Sequence, residues 1–238
     1  MPAVVSSAFE VSTLVEPEEI ENYEFGMKGT FFDDRLRVNL AGFSYEFTNL
    51  QVSRTVPTPD GGFMPIFENA AETEGKGFEL ESALQINDNF RLDGFVAYLD
   101  SEFTDYNTVN PIEPSLGVQS LAGNRTRQSP EVSAYLRGEY QVSLSSGAYI
   151  DLGVEASYKD KQYFNEFNDE VMSQDSYTLI NANIKYTSAY EKISANLWAK
   201  NITDEFVYSG MFAISSTRTI GGSILSPATY GVTLDYRF

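Results

Sequence analysis

The sequence has 238 residues, 14% of them aromatic, with a formal charge of −18 and neither Cys nor His. These counts exclude disulfides, thiol chemistry and any His-dependent catalytic or zinc site, and the acidic balance opposes nucleic-acid binding. No run of about 18 apolar residues is present, which excludes a transmembrane helix but not membrane-spanning strands, since these need only about 9–11 alternating residues.

The first 18 residues show no sustained hydrophobic period. We predict a partial strand or a loop there, leading into the first long strand. Residues 1–7 also lack the basic and apolar regions of a signal peptide. From Ile20 onward, large apolar side chains alternate with polar ones, and this pattern predicts strands with one apolar and one polar face.

The alternation recurs along the whole chain in about nine segments separated by turn residues. The predicted strands lie at residues 20–31, 35–47, 77–86, 90–98, 132–142, 148–158, 178–186, 193–199 and 230–238. Short connections alternate with long ones, and the long ones are predicted over residues 49–74, 104–128, 160–175 and 204–227. Outer-membrane barrels combine short periplasmic turns with long extracellular loops in this way. The predicted fold is therefore all-β, with the antiparallel strands of a transmembrane β-barrel.

Two details of the predicted strands bear on how they face their surroundings. After Gly42 the alternation changes phase, so Phe43, Tyr45 and Phe47 fall opposite Val38 and Leu40. Either Gly42 marks a β-bulge, or these aromatic side chains point into the barrel interior. Tyrosines near strand ends suit interfacial girdles, namely Tyr140, Tyr186 and Tyr236 at one end and Tyr98, Tyr158 and Tyr163 at the other.

Nine strands do not close a bacterial barrel, which has an even number of strands. We therefore expect this chain to be part of a larger barrel.

Four segments resemble, in order, landmarks of TonB-dependent outer-membrane receptors. They are residues 21–28, residues 69–71 followed by 75–81, residues 200–205 and residues 230–238. The resemblance implies a barrel of about twenty-two strands with an N-terminal plug. It implies import of a scarce ligand, most readily a ferric siderophore and otherwise cobalamin or an oligosaccharide, with energy from the TonB complex. Residues 19–238 would form the C-terminal part of that barrel, and we expect no plug domain within the chain.

The resemblance also implies a place in the bacterial outer membrane and contact with its lipid. Barrels of this kind end on an aromatic residue that the barrel assembly machinery reads, and Phe238 with Tyr236 is the candidate signal. The TonB complex would act through the plug of the full protein. We predict no cofactor, no metal and no enzymatic activity.

Candidate ligand contacts lie in the long connections. Tyr163, Phe164 and Phe167 are suited to stacking on a ligand, and Arg125, Arg127 and Arg218 to pairing with an anionic siderophore. Loop packing is the alternative for all of them, and a charge facing the lumen is a further alternative for Arg127. The acidic residues of one loop have oxygen ligands for a divalent cation, but their spacing fits no EF-hand, which favours a solvated loop. These residues are Glu166, Asp169, Glu170 and Asp175.

Other classes of protein remain alternatives. A small outer-membrane pore or adhesin would have an even number of strands and a signal peptide. An outer-membrane phospholipase or protease would need a His-containing or paired-acid site, and the sequence has no His. A soluble β-sandwich is a minor alternative, because the mean hydropathy is only −0.26.

Overall fold

The computed structural model describes residues 15–59, 61–214 and 217–238, which contain strands and two short 3₁₀ turns (Pro114–Leu116 and Glu170–Met172) but no α-helix. The strands are β1 (Glu19–Phe31), β2 (Leu36–Pro57), β3 (Phe63–Asn87), β4 (Phe90–Val109), β5 (Val118–Ser120), β6 (Val132–Ser143), β7 (Tyr149–Lys159), β8 (Gln162–Tyr163), β9 (Ser173–Gln174), β10 (Tyr177–Thr187), β11 (Ile193–Lys200), β12 (Tyr208–Ile214), β13 (Thr219–Ile224) and β14 (Thr229–Tyr236). Most of the segment 1–18 lies outside the described residues. In the described part, no helix is long and apolar enough to cross a membrane.

Nine of these strands form one antiparallel sheet in the order β1-β2-β3-β4-β6-β7-β10-β11-β14. Each strand of this path pairs with the next one along the chain, so the sheet is a meander. The prediction of nine antiparallel strands is confirmed. Short strands outside the path pair as β4 with β5, β8 with β9 and β12 with β13.

The register places the large apolar side chains of neighbouring strands side by side on one face. Met27 pairs with Leu40, Leu40 with Leu80, and Leu80 with Val96. The same face continues through Leu136, Val154, Ile184, Leu197 and Val232, all of which are exposed. We call this the apolar face. The opposite face, the polar face, carries the charged and amide side chains between them, because successive side chains of a strand point to opposite sides.

The connections differ at the two ends of the sheet. Short turns at residues 32–35, 88–89, 144–148 and 188–192 lie at one end, which we call the short-turn end. The connections between β2 and β3, β4 and β6, β7 and β10, and β11 and β14 lie at the other, the loop end. The C-terminus is at the short-turn end, where the Arg237 amide donates to the Lys192 carbonyl at 2.8 Å.

The prediction of a long loop over residues 49–74 is wrong, because most of this segment is strand. β2 and β3 continue to pair beyond the loop end of the other strands, from Leu50 with Ala71 to Pro57 with Phe63. Asn49, with φ of 58°, lies where the register shifts, and this bulge interrupts the period of two that the sequence argument followed. Pro65 is tolerated because β3 pairs with β4 only from Ala71 onward. The part of β3 that precedes Ala71 is therefore an edge strand on that side, where a missing N–H group costs no strand pairing.

The other three predicted long connections also contain strand. β4 runs on to Val109 and pairs with β5, β8 pairs with β9, and β12 forms a hairpin with β13. β5, β8 and β9 have only two or three residues each, too few to show an alternation that can be recognised in a sequence.

The register decides between the two readings of Gly42. Pairing is continuous through this residue, with Phe25 on one side and Phe78 on the other, so Gly42 is not a bulge. Phe43 and Tyr45 instead lie on the polar face, opposite Gly77 and Gly75. A Cβ atom at either glycine would collide with the facing ring, so the glycines make room for the two aromatic side chains.

Tyrosines line both ends of the apolar face. Tyr140, Tyr186 and Tyr236 are exposed near the short-turn end, and Tyr98 and Tyr158 lie toward the loop end. Tyr163 differs from the prediction: it belongs to β8, beyond the end of β7 at Lys159, and is part of a connection.

Candidate functional site

The connections at the loop end pack into one structure, which we call the loop cap. It comprises residues 50–57, 63–71, 99–131 and 160–176. Its core is formed by Ala71, Phe103, Tyr106 and Leu121, all buried, with Leu50, Val52 and Phe167 packed against them. The rings of Phe103 and Tyr106 are 5.2 Å apart. The loop cap therefore has a buried hydrophobic core of its own.

Side-chain amides join the β4–β6 and β7–β10 connections. The Asn168 Oδ1 atom accepts from the Arg125 amide at 2.8 Å, and its Nδ2 atom donates to the Arg125 carbonyl at 3.0 Å. Asn124 donates to the Glu166 carbonyl at 2.9 Å, and the Gln128 amide donates to the Tyr163 carbonyl at 2.9 Å. These bonds satisfy backbone groups that no strand pairing reaches, so the two connections are held together as one body.

A cavity of about 590 Å³ lies between the loop cap and the part of the polar face nearest the loop end. Its walls are largely aromatic and aliphatic, and they include Tyr45, Phe47, Phe103, Tyr106, Phe67 and Val52. Arg127 and Glu166 supply its charges. The Tyr45 hydroxyl is fixed 3.0 Å from the Ser101 hydroxyl, which is itself 3.0 Å from that of Thr126. An apolar cavity with a few fixed polar groups is the usual form of a small-molecule site.

A second cavity of about 210 Å³ lies between the loop cap and the β12–β13 hairpin. Ile112, Phe164, Met172 and Phe212 line it together with Arg127 and Glu166, which also line the first cavity. The two side chains are 4.0 Å apart at their nearest charged atoms, and Arg127 is mostly exposed. An ion pair this long, with the cation exposed to water, contributes little to stability.

The electrostatic environment of Tyr106 follows from its position in the core. Burial, together with the nearby Glu166 carboxylate, raises the pKa of Tyr106 to about 12. The phenol therefore remains neutral at physiological pH and offers the cavity wall a hydroxyl group without a charge.

Tyr163, a predicted ligand contact, is held by neighbours in its own loop. Its hydroxyl donates to Glu170 at 3.2 Å, and the Lys161 ammonium lies 5.1 Å from its ring centre. Lys161 also bonds Glu170 at 2.5 Å. This direct bond raises the pKa of Lys161 and lowers the pKa of Glu170. The three side chains form a cluster at β8 and the following 3₁₀ turn, in which Glu170 is exposed and Lys161 and Tyr163 are half-buried.

The other predicted contacts are spread over the loop end. Phe164 is only 5% exposed and Phe167 packs against the loop-cap core, so both rings are largely used in packing. Arg125 is paired with Glu131 at 2.8 Å. Arg218 lies in the turn of the β12–β13 hairpin with φ of 52°, exposed and apart from the rest.

The four carboxylates considered for a cation do not converge. Asp169 accepts from Asn165 at 2.7 Å, Glu170 pairs with Lys161, and Glu166 faces Arg127. Within the described residues, no group of three or more acidic side chains is placed to hold a metal ion.

Several cavity residues were not predicted from the sequence: Tyr45, Phe47, Phe103 and Tyr106. For Tyr45 and Phe47 the signal was present in the change of phase after Gly42. Tyr106 falls within the connection predicted over residues 104–128, and Phe103 falls between that connection and the strand predicted over residues 90–98, so neither was assigned to a strand.

The segment 200–205, which contributed to the family resemblance, forms the corner where β11 ends. Asn201 is 5% exposed, and its side chain bonds both the amide and the carbonyl of Glu205, at 2.9 and 3.0 Å. Asp204 accepts from the Ala228 amide at 2.8 Å. The two residues have φ of 49° and 54°, conformations that Asn and Asp adopt more readily than most. The motif therefore has a structural explanation, as a cap that closes the last long connection.

The chain end presents two aromatic rings. Tyr236 and Phe238 meet edge to face, with ring centres 5.0 Å apart, and Phe238 is fully exposed.

A family model described as TonB dependent receptor-like, beta-barrel matches residues 6–202. The probable TonB-dependent siderophore receptor PiuA of Acinetobacter baumannii is 26% identical over 200 residues, which are 84% of this chain and 25% of that protein. The ferric-pyoverdine 358 receptor of Pseudomonas putida is 26% identical over 224 residues, which are 94% of this chain and 24% of that protein. The chain thus spans about a quarter of the length of these curated relatives.

Solved structures show the same fold. The ferric yersiniabactin uptake receptor FyuA of Yersinia pestis superimposes with a TM-score of 0.74 at 17% identity, over 93% of this chain and 30% of that one. The siderophore receptor PiuA of A. baumannii gives a TM-score of 0.72 at 22% identity, over 94% of this chain and 29% of that one.

Proposed function

Because the chain belongs to the TonB-dependent receptor β-barrel family, we propose that it forms the C-terminal strands of a receptor that imports a ferric siderophore. Barrels of this family lie in the outer membrane of Gram-negative bacteria, and this chain is an outer-membrane protein. The observation that carries the proposal is that relatives matching most of the chain are named as siderophore receptors. The family consists of receptors and transporters, and we propose transport without catalysis.

We propose that the ligand contacts the loop end of the polar face, at the cavity of about 590 Å³. Its aromatic walls suit the flat rings of many iron chelators, and Arg127 offers a positive charge beside them. Of the ligand contacts predicted from sequence, Arg127 lines this cavity, whereas the half-buried Tyr163 and the exposed Arg218 lie outside its lining. Phe164, Phe167 and Arg125 would act by holding the loops that surround it.

Three further partners complete the proposal. Membrane lipid covers the apolar face, where six of the nine strands have 8 to 13 residues, close to the length of a barrel strand, and β2, β3 and β4 are longer because they continue into the loop cap. The barrel assembly machinery recognises Tyr236 and Phe238. The TonB complex supplies energy through parts of the receptor that lie outside this chain.

Uptake of iron by cells tests the function. Iron-starved cells with and without the gene would be given ⁵⁵Fe-loaded pyoverdine, yersiniabactin and preacinetobactin, the siderophores named for the receptors of similar structure. We expect the gene to raise uptake of at least one of them at nanomolar concentration. The Arg127→Ala variant should weaken that uptake, while Lys28→Ala, which removes a charge far from the cavity, should not.

The same assay separates an importer from a pore or adhesin. A protonophore or deletion of the TonB protein should abolish uptake by an energised receptor. Uptake that persists after both treatments and rises linearly with concentration would identify a passive pore and contradict the proposal. An adhesin would give no uptake of any of the three complexes.

A further inference from the structure

One tyrosine of the polar face extends across a neighbouring strand beside the cavity of about 590 Å³. Tyr45 on β2, Gly75 on β3 and Ser101 on β4 are direct partners in the strand register. Because neighbouring strands lie about 4.8 Å apart, a side chain of β2 must span about 10 Å to reach β4. The Tyr45 hydroxyl reaches it and lies 3.0 Å from the Ser101 hydroxyl. The tyrosine side chain therefore lies across β3 and does not stand upright from the sheet.

Gly75 makes this position of the ring possible. A Cβ atom at Gly75 would overlap the Tyr45 ring, so a glycine is needed for the ring to lie against the β3 backbone. Phe43 repeats the arrangement over Gly77, and the Phe43 and Tyr45 rings are stacked with 6.4 Å between their centres. With one face on the sheet, the Tyr45 ring turns its other face to the cavity that it lines. Tyr45 is thus a flat platform on which another ring can stack.

Ser101 connects this platform with the segment that carries Arg127. Ser101 is 4% exposed and does not line the cavity itself. Its hydroxyl also lies 3.0 Å from the Thr126 hydroxyl, and its carbonyl accepts from the Thr126 amide at 3.2 Å. The residue that follows Arg127 is held by a backbone bond of 2.9 Å to β8. Arg127 is therefore fixed on both sides, by Ser101 before it and by β8 after it.

The direction of the hydrogen bonds shows how closely these groups depend on one another. Each hydroxyl has a single hydrogen to donate. Ser129 donates its hydrogen to the Thr126 carbonyl, and Thr126 donates to the Ser129 hydroxyl at 2.8 Å. Thr126 must then accept from Ser101, and Ser101 must accept from Tyr45. The chain runs in one direction from Tyr45 to the Thr126 carbonyl, and the loss of any one hydroxyl interrupts it.

These contacts give Ser101 a role that rests on the proposed function. We propose that Ser101 is a positioning residue of the ligand site, which holds the Tyr45 ring flat and the Arg127 segment beside it without touching the ligand. A flat ring of the iron complex then meets a surface that is already formed. A preformed surface spares the ligand the cost of ordering it, so the affinity depends on a side chain outside the cavity.

Uptake kinetics test this role. The full receptor would be expressed in iron-starved cells, and the KM and the maximal rate of uptake would be measured with ⁵⁵Fe-loaded pyoverdine, yersiniabactin and preacinetobactin. We expect Ser101→Ala to raise the KM for the imported complex about three- to tenfold, the effect of one hydrogen bond, and to leave the maximal rate unchanged. The matched control, Ser157→Ala, removes a hydroxyl from the polar face of β7 outside the cavity and should change neither value. A lower maximal rate with an unchanged KM would show that Ser101 serves folding alone and would overturn the proposal.

A second variant separates positioning from direct contact with the ligand. Tyr45→Phe keeps the ring and removes the hydroxyl that donates to Ser101. We expect the double variant to have the same KM as Ser101→Ala alone, because both changes remove the same bond. If the two effects on the KM multiply instead, the Tyr45 hydroxyl bonds the ligand directly and the proposal is wrong.

Hydrogen exchange of the receptor without ligand gives a readout that does not depend on uptake. In the receptor extracted with detergent, Ser101→Ala should accelerate exchange of the amides in residues 125–129 about three- to tenfold, and Ser157→Ala should not. Equal exchange in the two variants would refute the proposal even if uptake is found. Failure of the proposed function is distinguishable, because it appears in the unaltered protein as uptake of none of the three complexes. It would also remove the role of Ser101 in uptake.

Discussion

The nine-stranded sheet and the loop cap use the same apolar residue types in opposite ways. In the sheet, Phe25 and Val154 point outward and are 75% and 56% exposed. In the loop cap, Phe103 and Leu121 point inward and are 6% and 2% exposed. Both regions alternate apolar and polar residues, and they share strands, since β2, β3 and β4 run from one into the other. The change in direction occurs within single strands.

The difference is explained by the surroundings of each region. Membrane lipid is as apolar as the side chains that face it, so the apolar side chains of the sheet are kept away from water without a protein core. The loop cap stands in water and must bury its apolar side chains against one another. The bulge at Asn49 lies near the boundary between the two regions. Stability in the two regions should therefore respond to different substitutions.

The largest expected effect comes from emptying the loop-cap core. Phe103→Ala should cost about 3–5 kcal/mol of local stability, because it removes a buried ring and leaves a cavity. Leu136→Ala on the apolar face is the matched control, since lipid fills the space left there. Hydrogen exchange of the amides in residues 110–131 measures the outcome. Faster exchange in both variants would contradict the claim that the loop cap depends on a buried core and the sheet does not.

A charge on the apolar face tests the other side of the comparison. Val154 lies at the middle of β7 and faces outward, so Val154→Arg should destabilise the folded barrel by about 2–4 kcal/mol. Asn183→Arg places the same charge on the polar face of the neighbouring strand, where it meets water. The fraction that migrates as folded protein in unheated gels gives the measurement. If both variants fold equally poorly, the assignment of the two faces is wrong.

High pH should loosen the loop cap while leaving the sheet intact. The folded-state pKa of Tyr106 is raised from 10 to about 12, so its contribution is fully present below pH 10 and is lost as the pH rises toward 12. This difference between the folded and unfolded pKa corresponds to about 3 kcal/mol of folding free energy. The Tyr106→Phe variant has no phenol to ionise, so it should lose this pH dependence. The control variant Tyr190→Phe changes an exposed tyrosine in a turn and should keep the pH dependence of the unaltered protein. Protease cleavage within residues 110–131 between pH 9 and 12 is the measurement, and identical profiles for all three proteins would contradict the prediction.

The sequence predicted the sheet better than the loop cap, for the same physical reason. A strand with lipid on one side and water on the other must alternate, and all nine sheet strands, β14 among them, were found by alternation. In the loop cap, pairing depends on contacts between distant segments, such as Leu50 with Ala71. Neither partner shows this in its own sequence, so residues 49–74 were predicted to be a loop. The cavity residues Phe103 and Tyr106 could not be found for the same reason. The ligand contacts predicted from sequence remain predictions.

The smallest effect tests whether the loop cap is one body or several loops. Asn168 joins two connections through bonds to both backbone groups of Arg125, and its φ is 54°. Asn168→Gly keeps this backbone conformation accessible and removes only the bonds, so we expect a loss of about 1 kcal/mol. Asn168→Ala adds the cost of a left-handed conformation and should lose about 2 kcal/mol. Hydrogen exchange should accelerate together in residues 110–131 and 160–176, because releasing one connection frees the other. Acceleration in the second segment alone would mean that the two connections are stabilised independently, and the loop cap would then be an assembly of separate loops, unlike the continuous sheet below it.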